Sequence, residues 1–347
     1  MKKIFAILLS LLTLLSCGLL SACSAEKTQP DTLDTETVWE TVSEAYIYAF
    51  PLVLTDATKT LSTNTDGTMT GRAPINQFNH AKKLADASFR TVVTPNVDTV
   101  YSQAWLDIST EPMVYVLPET DRFCNVQLLD AWTNTAAVLD KAGAYAIALP
   151  GWEGELPDAA LLGEGAAERW TQMLQGLRAT LAADGAKYAQ KLGQWIYYGK
   201  PIGDFGTEYT YRAMVALVGL GTNTVDVAIY PKTAVDETGA ALTGEKKYTL
   251  HFETLPPTLE GGFWSVTAYG EDDFLIDNSI DRYCINDRSD FKLNADGTLD
   301  IILSKDAPED TSNWLPVSDG EFHLFMRIYV PDMTALDSWQ PPVIREQ

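Results

Sequence analysis

Hydrophobic side chains recur with a helical period at three places along the chain. Residues 38–61 repeat apolar positions every three or four residues, which is the spacing of one helix face. Pro51 lies inside that segment and removes a backbone donor, so we expect it to kink or split the helix. The same period over 165–196 and 207–220 predicts two further helices.

Short β-type segments, separated by Pro, Gly, Asn and Asp, predict strands in two regions. In the last of them, Arg327 and Tyr329 occupy the face opposite an aliphatic one. The order helix, strands, helices, strands predicts a mainly β protein with helices (α+β). We expect two β-sandwich or jelly-roll-like modules with helices packed between or beside them. The predicted strands are 100–108, 113–117, 123–132 and 145–149, then 248–252, 263–269, 299–303 and 322–330.

The N-terminus has the pattern of an export signal. Two lysines precede an apolar run over residues 4–16, which is too short to span a hydrocarbon core of roughly 30 Å. The following LSAC sequence ends at Cys23 and resembles a bacterial lipobox. That resemblance implies a lipoprotein signal peptide over residues 1–22, cleavage before Cys23 and lipidation of its thiol. The alternative is an ordinary secretory signal in which Cys23 is incidental.

These features predict an exported protein that a lipid anchor holds on the extracytoplasmic side of the cell membrane or outer membrane. Residues 23–37 would form the lipidated, polar tether. The 347 residues include 25 Lys and Arg against 47 Asp and Glu, a net charge of −22. Loss of two lysines with the signal peptide makes the charge −24, which repels anionic lipid headgroups. Because phosphate binding needs a basic face, nucleic acid is excluded as a partner.

Two cysteines remain beyond the predicted anchor, Cys124 and Cys284. Each lies in an apolar or aromatic strand-type segment. A disulfide between them and two separate buried thiols are both consistent with an exported protein.

A series of motifs from residue 94 to the C-terminus resembles one family, in which a domain of unknown function numbered 1254 precedes one numbered 1214. The resemblance implies a two-module, largely β architecture and no assigned activity. It places the N-terminal module at 38–160, a helical connector at 161–225 and the C-terminal β module at 226–347. The motifs include TPNVDTVY (94–101), QLLDAWTN (127–134), YRA (211–213), FWSVT (263–267), NSIDRY (278–283), NWLP (313–316), RIYVP (327–331) and WQPP (339–342).

The first candidate ligand-binding group surrounds the TPNVDTVY motif. Arg90, Asn96, Asp98 and Tyr101 offer a cation, an amide, a carboxylate and a hydroxyl for a hydroxylated ligand. The alternative is a structural corner in which Arg90 pairs with Asp98.

The second candidate group is Asp130, Trp132 and Asn134. On an extended strand these three side chains share a face. A carboxylate and an amide beside an indole suit sugar-like or other polyol ligands. The alternative is a satisfied buried Asp beside a core Trp.

The third candidate group contains two arginines that are placed to clamp an anionic ligand. The alternative pairs them with local acids, because residues 271–310 hold 12 acidic and 4 basic side chains. The members of this group are Arg282, Tyr283, Asn313, Trp314, Arg327 and Tyr329.

Catalytic and metal motifs have little support. The sequence lacks G-x-S-x-G, H-E-x-x-H and C-x-x-C, and its three histidines are far apart. The NADG sequence at 294–297 resembles the opening of a calcium loop, but Lys305 stands where the twelfth-position Glu belongs. We therefore assign no catalytic residue, metal or cofactor.

Together these observations favour a lipid-anchored envelope protein that binds a small polar or saccharide-like ligand in a cleft between its β modules. One alternative is a hydrolase that uses carboxylate or His side chains in that cleft. The other is a structural or assembly role, with the large β surfaces forming a homo-oligomer.

Overall fold

The computed structural model of the protein describes residues 35–66, 71–149, 152, 160–162 and 185–347. Met1–Val42 and Ser43–Gln347 are two separate compact units. Of the first unit, only the beginning of one helix is described, so the predicted signal peptide and the lipidated Cys23 lie outside the described residues. No helix within the described ranges has the length and apolar character needed to cross a membrane.

Three α-helices are described, and two of them were predicted. Helix α1 (Thr35–Thr63) begins a few residues before the predicted start and passes through Pro51 as a single helix. Helix α2 (Tyr209–Gly219) confirms the helix predicted over 207–220. Helix α3 (Met333–Leu336) is one turn, and the Asp332 carboxylate caps it by accepting two backbone N–H bonds.

The helix predicted over 165–196 is wrong from residue 186 onward, whereas Gly185 is helical as predicted. A 3₁₀ turn at Ala186–Tyr188 leads into two antiparallel strands, which a tight turn connects. Gly193 in this turn has φ +59°, a conformation that glycine adopts without strain. Trp195 is fully buried, and its indole N–H donates to the carbonyl of Pro342 at 2.8 Å. Tertiary burial of this indole outweighs the local helical pattern, and residues 163–184 lie outside the described part.

The predicted strands at 113–117 and 248–252 are confirmed residue for residue. Those at 100–108 and 123–132 are shorter than predicted, and several two- to four-residue strands were not predicted. The strands are β1 (Phe78–His80), β2 (Ser102–Ala104), β3 (Met113–Leu117), β4 (Val126–Leu129), β5 (Thr135–Leu139), β6 (Gly143–Ile147), β7 (Ala160–Leu162), β8 (Ala189–Leu192), β9 (Trp195–Tyr198), β10 (Ala228–Ile229), β11 (Lys232–Thr233), β12 (Tyr248–Phe252), β13 (Thr258–Gly270), β14 (Cys284–Asn286), β15 (Leu299–Ser304), β16 (Trp314–Pro316), β17 (Phe322–Pro331) and β18 (Val343–Glu346).

Two larger sheets enclose the main core. One has the strand order β14-β13-β17-β11-β9-β8, with β10 also paired to β17, and the other has the order β16-β15-β12-β18. Val266 and Met326 from the first sheet and Leu250 and Ile301 from the second are fully buried in one continuous apolar cluster. Because facing strands contribute alternate side chains to this layer, the period-2 pattern of β12 and β17 is the sequence origin of the core.

The strands of the N-terminal half form smaller sheets. Strand β1 pairs with β2, β4 pairs with β5, and β3, β6 and β7 form a three-stranded sheet. The predicted α+β class, mainly β with helices beside the sheets, is confirmed.

Candidate functional site

Strand β17 is buried on both of its faces, and its second face carries polar side chains. Alternation sends Trp264 and Val266 of β13 toward the apolar core and Ser265 to the opposite side. Ser265 lies directly across from Arg327 of β17, and the same register continues along both strands. Both side chains are buried because residues 94–101 lie over this face of the sheet.

Asp98 makes the most buried contact of this covering segment. Its Oδ2 accepts a 2.5 Å hydrogen bond from Ser265 Oγ, and its Oδ1 lies 3.9 Å from the donating Sγ of Cys284. The position of Asp98 is fixed locally, because its backbone N–H donates to Oδ1 of Asn96 at 2.6 Å. Burial, and then the negative charge of Asp98, raise the pKa of the Cys284 thiol to about 12.

Arg327 makes the second set of contacts. Its Nη2 donates to the carbonyl oxygen of Thr94 at 3.0 Å and to the Tyr269 hydroxyl at 2.8 Å, and its Nη1 donates to Thr267 Oγ1 at 3.2 Å. Tyr269 in turn donates to the carbonyl oxygen of Pro95 at 2.7 Å. Burial by itself lowers the pKa of Arg327, but the neighbouring tyrosines and Asp98 outweigh it and raise that pKa above its ordinary value.

The third set of contacts centres on Asn96. Its amide nitrogen is 2.7 Å from the hydroxyl oxygens of both Tyr101 and Tyr329. Burial is the main reason that the pKa of Tyr329 lies well above its ordinary value, so this hydroxyl stays protonated. We call the group formed by Asn96, Asp98, Ser265, Tyr269 and Arg327 the clamp cluster.

The backbone beside the clamp cluster is strained. Thr94 has φ +46° and Val330 has φ +48°, and both are β-branched residues in the left-handed region. Such a conformation costs about 1–3 kcal/mol and persists only where the surroundings hold it. At Thr94 the surroundings do so, because its carbonyl accepts from Arg327 and its N–H donates to the carbonyl of Asp273 at 2.7 Å.

The clamp cluster unites parts of the first and third predicted groups and leaves other members outside. Arg90 does not pair with Asp98, and that alternative is wrong. Instead its Nη1 donates to Asp272 at 2.7 Å, and its guanidinium carbon lies 4.6 Å from the ring centroid of Phe274. Both members of that ion pair are more than half exposed, and Arg90 therefore belongs to the surface.

Arg282 occupies a separate place in the third group. It donates to the carbonyl oxygens of Thr311 and Trp314 at 2.5 and 2.8 Å, and so shares no hydrogen-bond partner with Arg327. The partners of Arg282 are carbonyls, whereas the alternative predicted acids. Tyr283 bonds to Asp281 at 3.1 Å.

The last two members of the third group, Asn313 and Trp314, also hold the backbone. The Asn313 amide donates to the carbonyls of Lys292 and Asp300, and the Trp314 indole donates to Ser304. Beside Trp314 a surface cavity of about 240 Å³ is lined in part by Asp277, Lys305 and Asp319. Lys305 and Asp319 pair with each other across 3.5 Å.

The second predicted group lies in a turn. The prediction that Asp130, Trp132 and Asn134 share the face of an extended strand is wrong, because β4 ends at Leu129. The Asp130 Oδ1 accepts the backbone N–H bonds of Trp132 and Asn134 at 2.8 and 2.9 Å, and Oδ2 accepts from Asn134 Nδ2 at 2.8 Å. Such local bonds compete with the β ladder and reverse the chain into β5. Thr133 between them has φ +69°.

Arg212 of helix α2 packs against this turn inside a set of aromatic rings. Its guanidinium carbon lies 4.6 Å from the ring centroid of Trp132, 5.3 Å from that of Tyr209 and 5.7 Å from that of Tyr48. The Tyr48 ring also contacts Trp132 and Tyr209, at centroid distances of 4.7 and 5.0 Å. We call the three rings the aromatic cage. Arg212 is only 5% exposed, while Tyr48 and Tyr209 are 45% and 40% exposed.

Polar atoms in the aromatic cage are left without hydrogen bonds. Within the described part of the chain, Nε and Nη2 of Arg212 and Oδ1 of Asn134 are buried and have no partner. Burial lowers the pKa of Arg212, and the charge of Asp130 opposes this. Every side chain of the clamp cluster is hydrogen-bonded, whereas Arg212 and Asn134 keep buried donors and a buried acceptor that have no partner among the described residues.

Sequence analysis missed Tyr48, Tyr209 and Arg212 as site residues. The sequence does contain one indication of this site. Arg212 is the single charged side chain of the otherwise apolar helix YTYRAMVALVG. A buried charge in such a helix requires a partner from elsewhere in the fold.

Among the described residues, the cysteines and histidines form neither a disulfide nor a metal-binding group. Cys124 and Cys284 are both free thiols, so the disulfide alternative is wrong. His251 bonds to Asp300 at 2.6 Å, and His80 bonds to Ser102 Oγ at 2.7 Å without a carboxylate behind it. Among the residues that the structure describes, no three His, Cys, Asp or Glu side chains are grouped to hold a metal ion.

Two family models match separate parts of this chain. The Protein of unknown function (DUF1254) family matches residues 75–176, and the Protein of unknown function (DUF1214) family matches residues 227–333. The chain therefore carries these two domains in this order. The clamp cluster therefore connects the two domains, since Asn96 and Asp98 come from the first and Ser265, Tyr269 and Arg327 from the second.

Two solved structures are similar to this chain. The VPA0106 protein from Vibrio parahaemolyticus has 19% sequence identity and a TM-score of 0.63, with 89% of this chain and 99% of that chain covered. A putative uncharacterized protein from Burkholderia cenocepacia has 13% identity and a TM-score of 0.46, with 92% and 90% covered. No curated protein matches the chain.

Replacing Arg327 by Gln should destabilise the protein strongly. The change removes a buried cation and leaves the Thr94 carbonyl and Asp98 uncompensated, which costs about 3–5 kcal/mol of unfolding free energy. The exposed Arg90→Gln is the matched control and should cost less than about 1 kcal/mol. Urea denaturation measures the free energy of unfolding of both variants. Equal losses would show that the clamp cluster contributes no more to stability than an exposed ion pair.

Cys284 should resist alkylation. Its thiol is protonated at pH 8 because its pKa is about 12, so iodoacetamide should modify it at least about tenfold more slowly than the exposed Cys124. Peptide mapping by mass spectrometry after timed quenching gives both rates in one sample. Similar rates for the two thiols would contradict the raised pKa of the Cys284 thiol.

Proposed function

We propose that the protein is an exported, lipid-anchored component of the cell envelope that binds a small polar, saccharide-like ligand at the aromatic cage. One observation carries the binding proposal. Nε and Nη2 of the buried Arg212, which lies among three aromatic rings, and the buried Oδ1 of Asn134 in the neighbouring turn lack partners within the described residues. Leaving such atoms unpaired is costly, and a bound ligand would remove that cost.

The chemistry of the aromatic cage supports a ligand with both apolar and polar surfaces. The rings of Tyr48, Trp132 and Tyr209 offer apolar area together with hydroxyl and indole groups. Polar atoms set among aromatic rings fix the orientation of a ligand, and the rings exclude water. A pyranose has apolar C–H faces and a rim of hydroxyls, which suits this combination.

The cellular location rests on the N-terminal sequence. A lysine-led apolar run followed by LSAC at residues 20–23 supports export and lipidation at Cys23. One acyl chain binds a membrane only marginally, so a stable anchor needs more than one chain on this residue. The mature charge of −24 would keep the folded body in the aqueous layer, with its aromatic cage accessible to solutes.

Tyr209→Ala tests the binding site. In a glycan and metabolite panel read by calorimetry, the unaltered protein should bind at least one sugar-like compound, and the variant should bind it at least about tenfold more weakly because a stacking ring is lost. Phe78→Ala is the control, since Phe78 is equally exposed (42%) but lies on β1 outside the cage. No binder in the panel, or the same loss in both variants, would refute the proposed site.

Cys23→Ser tests the anchor. The unaltered chain should sediment with the membrane fraction and show an acyl-modified N-terminal peptide by mass spectrometry, because the lipid is attached to the Cys23 thiol. The variant should lose both properties, and Cys17→Ser, three residues before the first residue of the LSAC sequence, should keep them. Membrane association that survives Cys23→Ser would rule out lipidation at this residue.

A further inference from the structure

From the unpaired edge of Arg212 we infer that the ligand of the aromatic cage carries a carboxylate, and that Nε and Nη2 of Arg212 bind its two oxygens. This inference rests on the proposed binding function and narrows the ligand to acidic sugars and related hydroxy acids. It depends on three observations: which guanidinium atoms are unpaired, which hydrogen bonds the nearby carboxylates already make, and the unpaired amide oxygen of Asn134.

The unpaired atoms of Arg212 form one particular edge of the guanidinium. Nε and Nη2 point their N–H bonds in parallel along the same side of the planar group. Two parallel donors at this spacing match the two oxygens of a carboxylate, which binds them as a bidentate pair. Ring contacts such as that with Trp132 use the faces of a guanidinium and leave this edge for in-plane hydrogen bonds.

The acids of the protein near Arg212 are already engaged. Asp130 is close enough to affect the Arg212 pKa, but both of its oxygens accept hydrogen bonds from Trp132 and Asn134 within the turn. Glu208, one helical turn before Arg212, has its carboxylate bonded to the Tyr188 hydroxyl. No carboxylate of the described residues reaches the Nε–Nη2 edge, so a carboxylate from outside is the group that would complete it.

The second unpaired group is Oδ1 of Asn134, which would accept a hydrogen bond from a hydroxyl of the ligand. Asn134 donates its Nδ2 protons toward Asp130, which fixes the amide orientation and leaves Oδ1 as an acceptor. A ligand that satisfies both groups has a carboxylate for Arg212 and a hydroxyl donor for Asn134. A uronate has both groups as well as an apolar ring face. A phosphate dianion also fits a guanidinium edge, but Asp130 and the net charge of −22 disfavour a second negative charge.

Tyr48 on α1 and Tyr209 at the beginning of α2 are the exposed rings of the aromatic cage, at 45% and 40%. Rotation of these two rings toward solvent would uncover the guanidinium of Arg212, with Trp132 beside it. Closing of the rings over the ligand would exclude water from the ion pair and strengthen it.

Calorimetry with matched probes tests this inference. The probes are the methyl glycosides of glucuronate, galacturonate and mannuronate, their three neutral parent sugars and glucose 6-phosphate. We expect at least one uronide to bind at least tenfold more tightly than its neutral parent and than the phosphate. Arg212→Lys keeps the charge but loses the paired donors, so uronide binding should weaken at least tenfold more than the binding of the neutral parent sugar does. Arg345→Lys, an exposed arginine paired with Glu237, is the matched control and should change neither affinity.

A second variant covers the case in which Arg212→Lys does not fold. Asn134→Asp replaces the half-buried amide by a carboxylate and places a negative charge beside the proposed ligand carboxylate, so it should also weaken uronide binding at least tenfold. Neutral sugars that bind as tightly as uronides, with no effect of either variant, would overturn the carboxylate while the binding function survives. Tighter binding of glucose 6-phosphate would replace the carboxylate by a phosphate. Failure of every probe to bind the unaltered protein would overturn the inference together with the binding site.

Discussion

The guanidinium of Arg327 joins two stretches of chain more than 200 residues apart, and the position of the N-terminal domain depends on it. A buried cation is stable only if its hydrogen bonds are made and a negative charge is near. Thr94 and Tyr269 supply the bonds, and Asp98 supplies the charge. Each of these partners fixes another part of the chain, because Tyr269 holds the Pro95 carbonyl and Asp98 holds Ser265. The covering segment therefore cannot slide along the sheet without leaving a charge unpaired, and this explains why Thr94 is held in a strained backbone conformation.

The clamp cluster and the aromatic cage use similar residue types for opposite purposes. Asp, Asn, Arg and Tyr side chains occur in both, and composition alone does not distinguish them. The difference is in the hydrogen bonds, which are complete around Arg327 and incomplete around Arg212. A complete network stabilises a fold and leaves no group unpaired for a ligand. An incomplete network at a partly exposed site leaves donors and acceptors that a ligand can bind. The one cleft that the sequence predicted is thus divided into separate clusters, of which most hold the backbone.

Sequence reasoning succeeded where a local pattern determines the structure. The alternation in β12 and β17 identified both core strands, and the apolar period identified α2. It failed where distant contacts decide, as at Trp195, whose burial against Pro342 turns a helical pattern into a hairpin. It also failed at Asp130, where side-chain bonds to the backbone end a strand that the hydrophobic run would continue. The candidate site could not be predicted for the same reason. The charge of Arg212 is conspicuous in the sequence of α2, but the rings around it come from three separate segments of the chain. The placement of Asn96, Asp98 and Tyr101 near Arg327 and Tyr329 was not deducible, although each residue was singled out.

Because both faces of β17 are buried, the second domain depends on the first to cover one face of its sheet. One face of this sheet is apolar and packs against the core. The other face is polar and lies under residues 94–101, so neither face is adapted to contact solvent. The second domain, expressed without the first, would expose Arg327, Tyr269 and Ser265 together with the rings of Phe263 and Tyr329. Such a surface invites aggregation, and the unpaired cation weakens the sheet from within. We therefore expect the two domains to fold and unfold as one cooperative unit, because each covers a surface of the other.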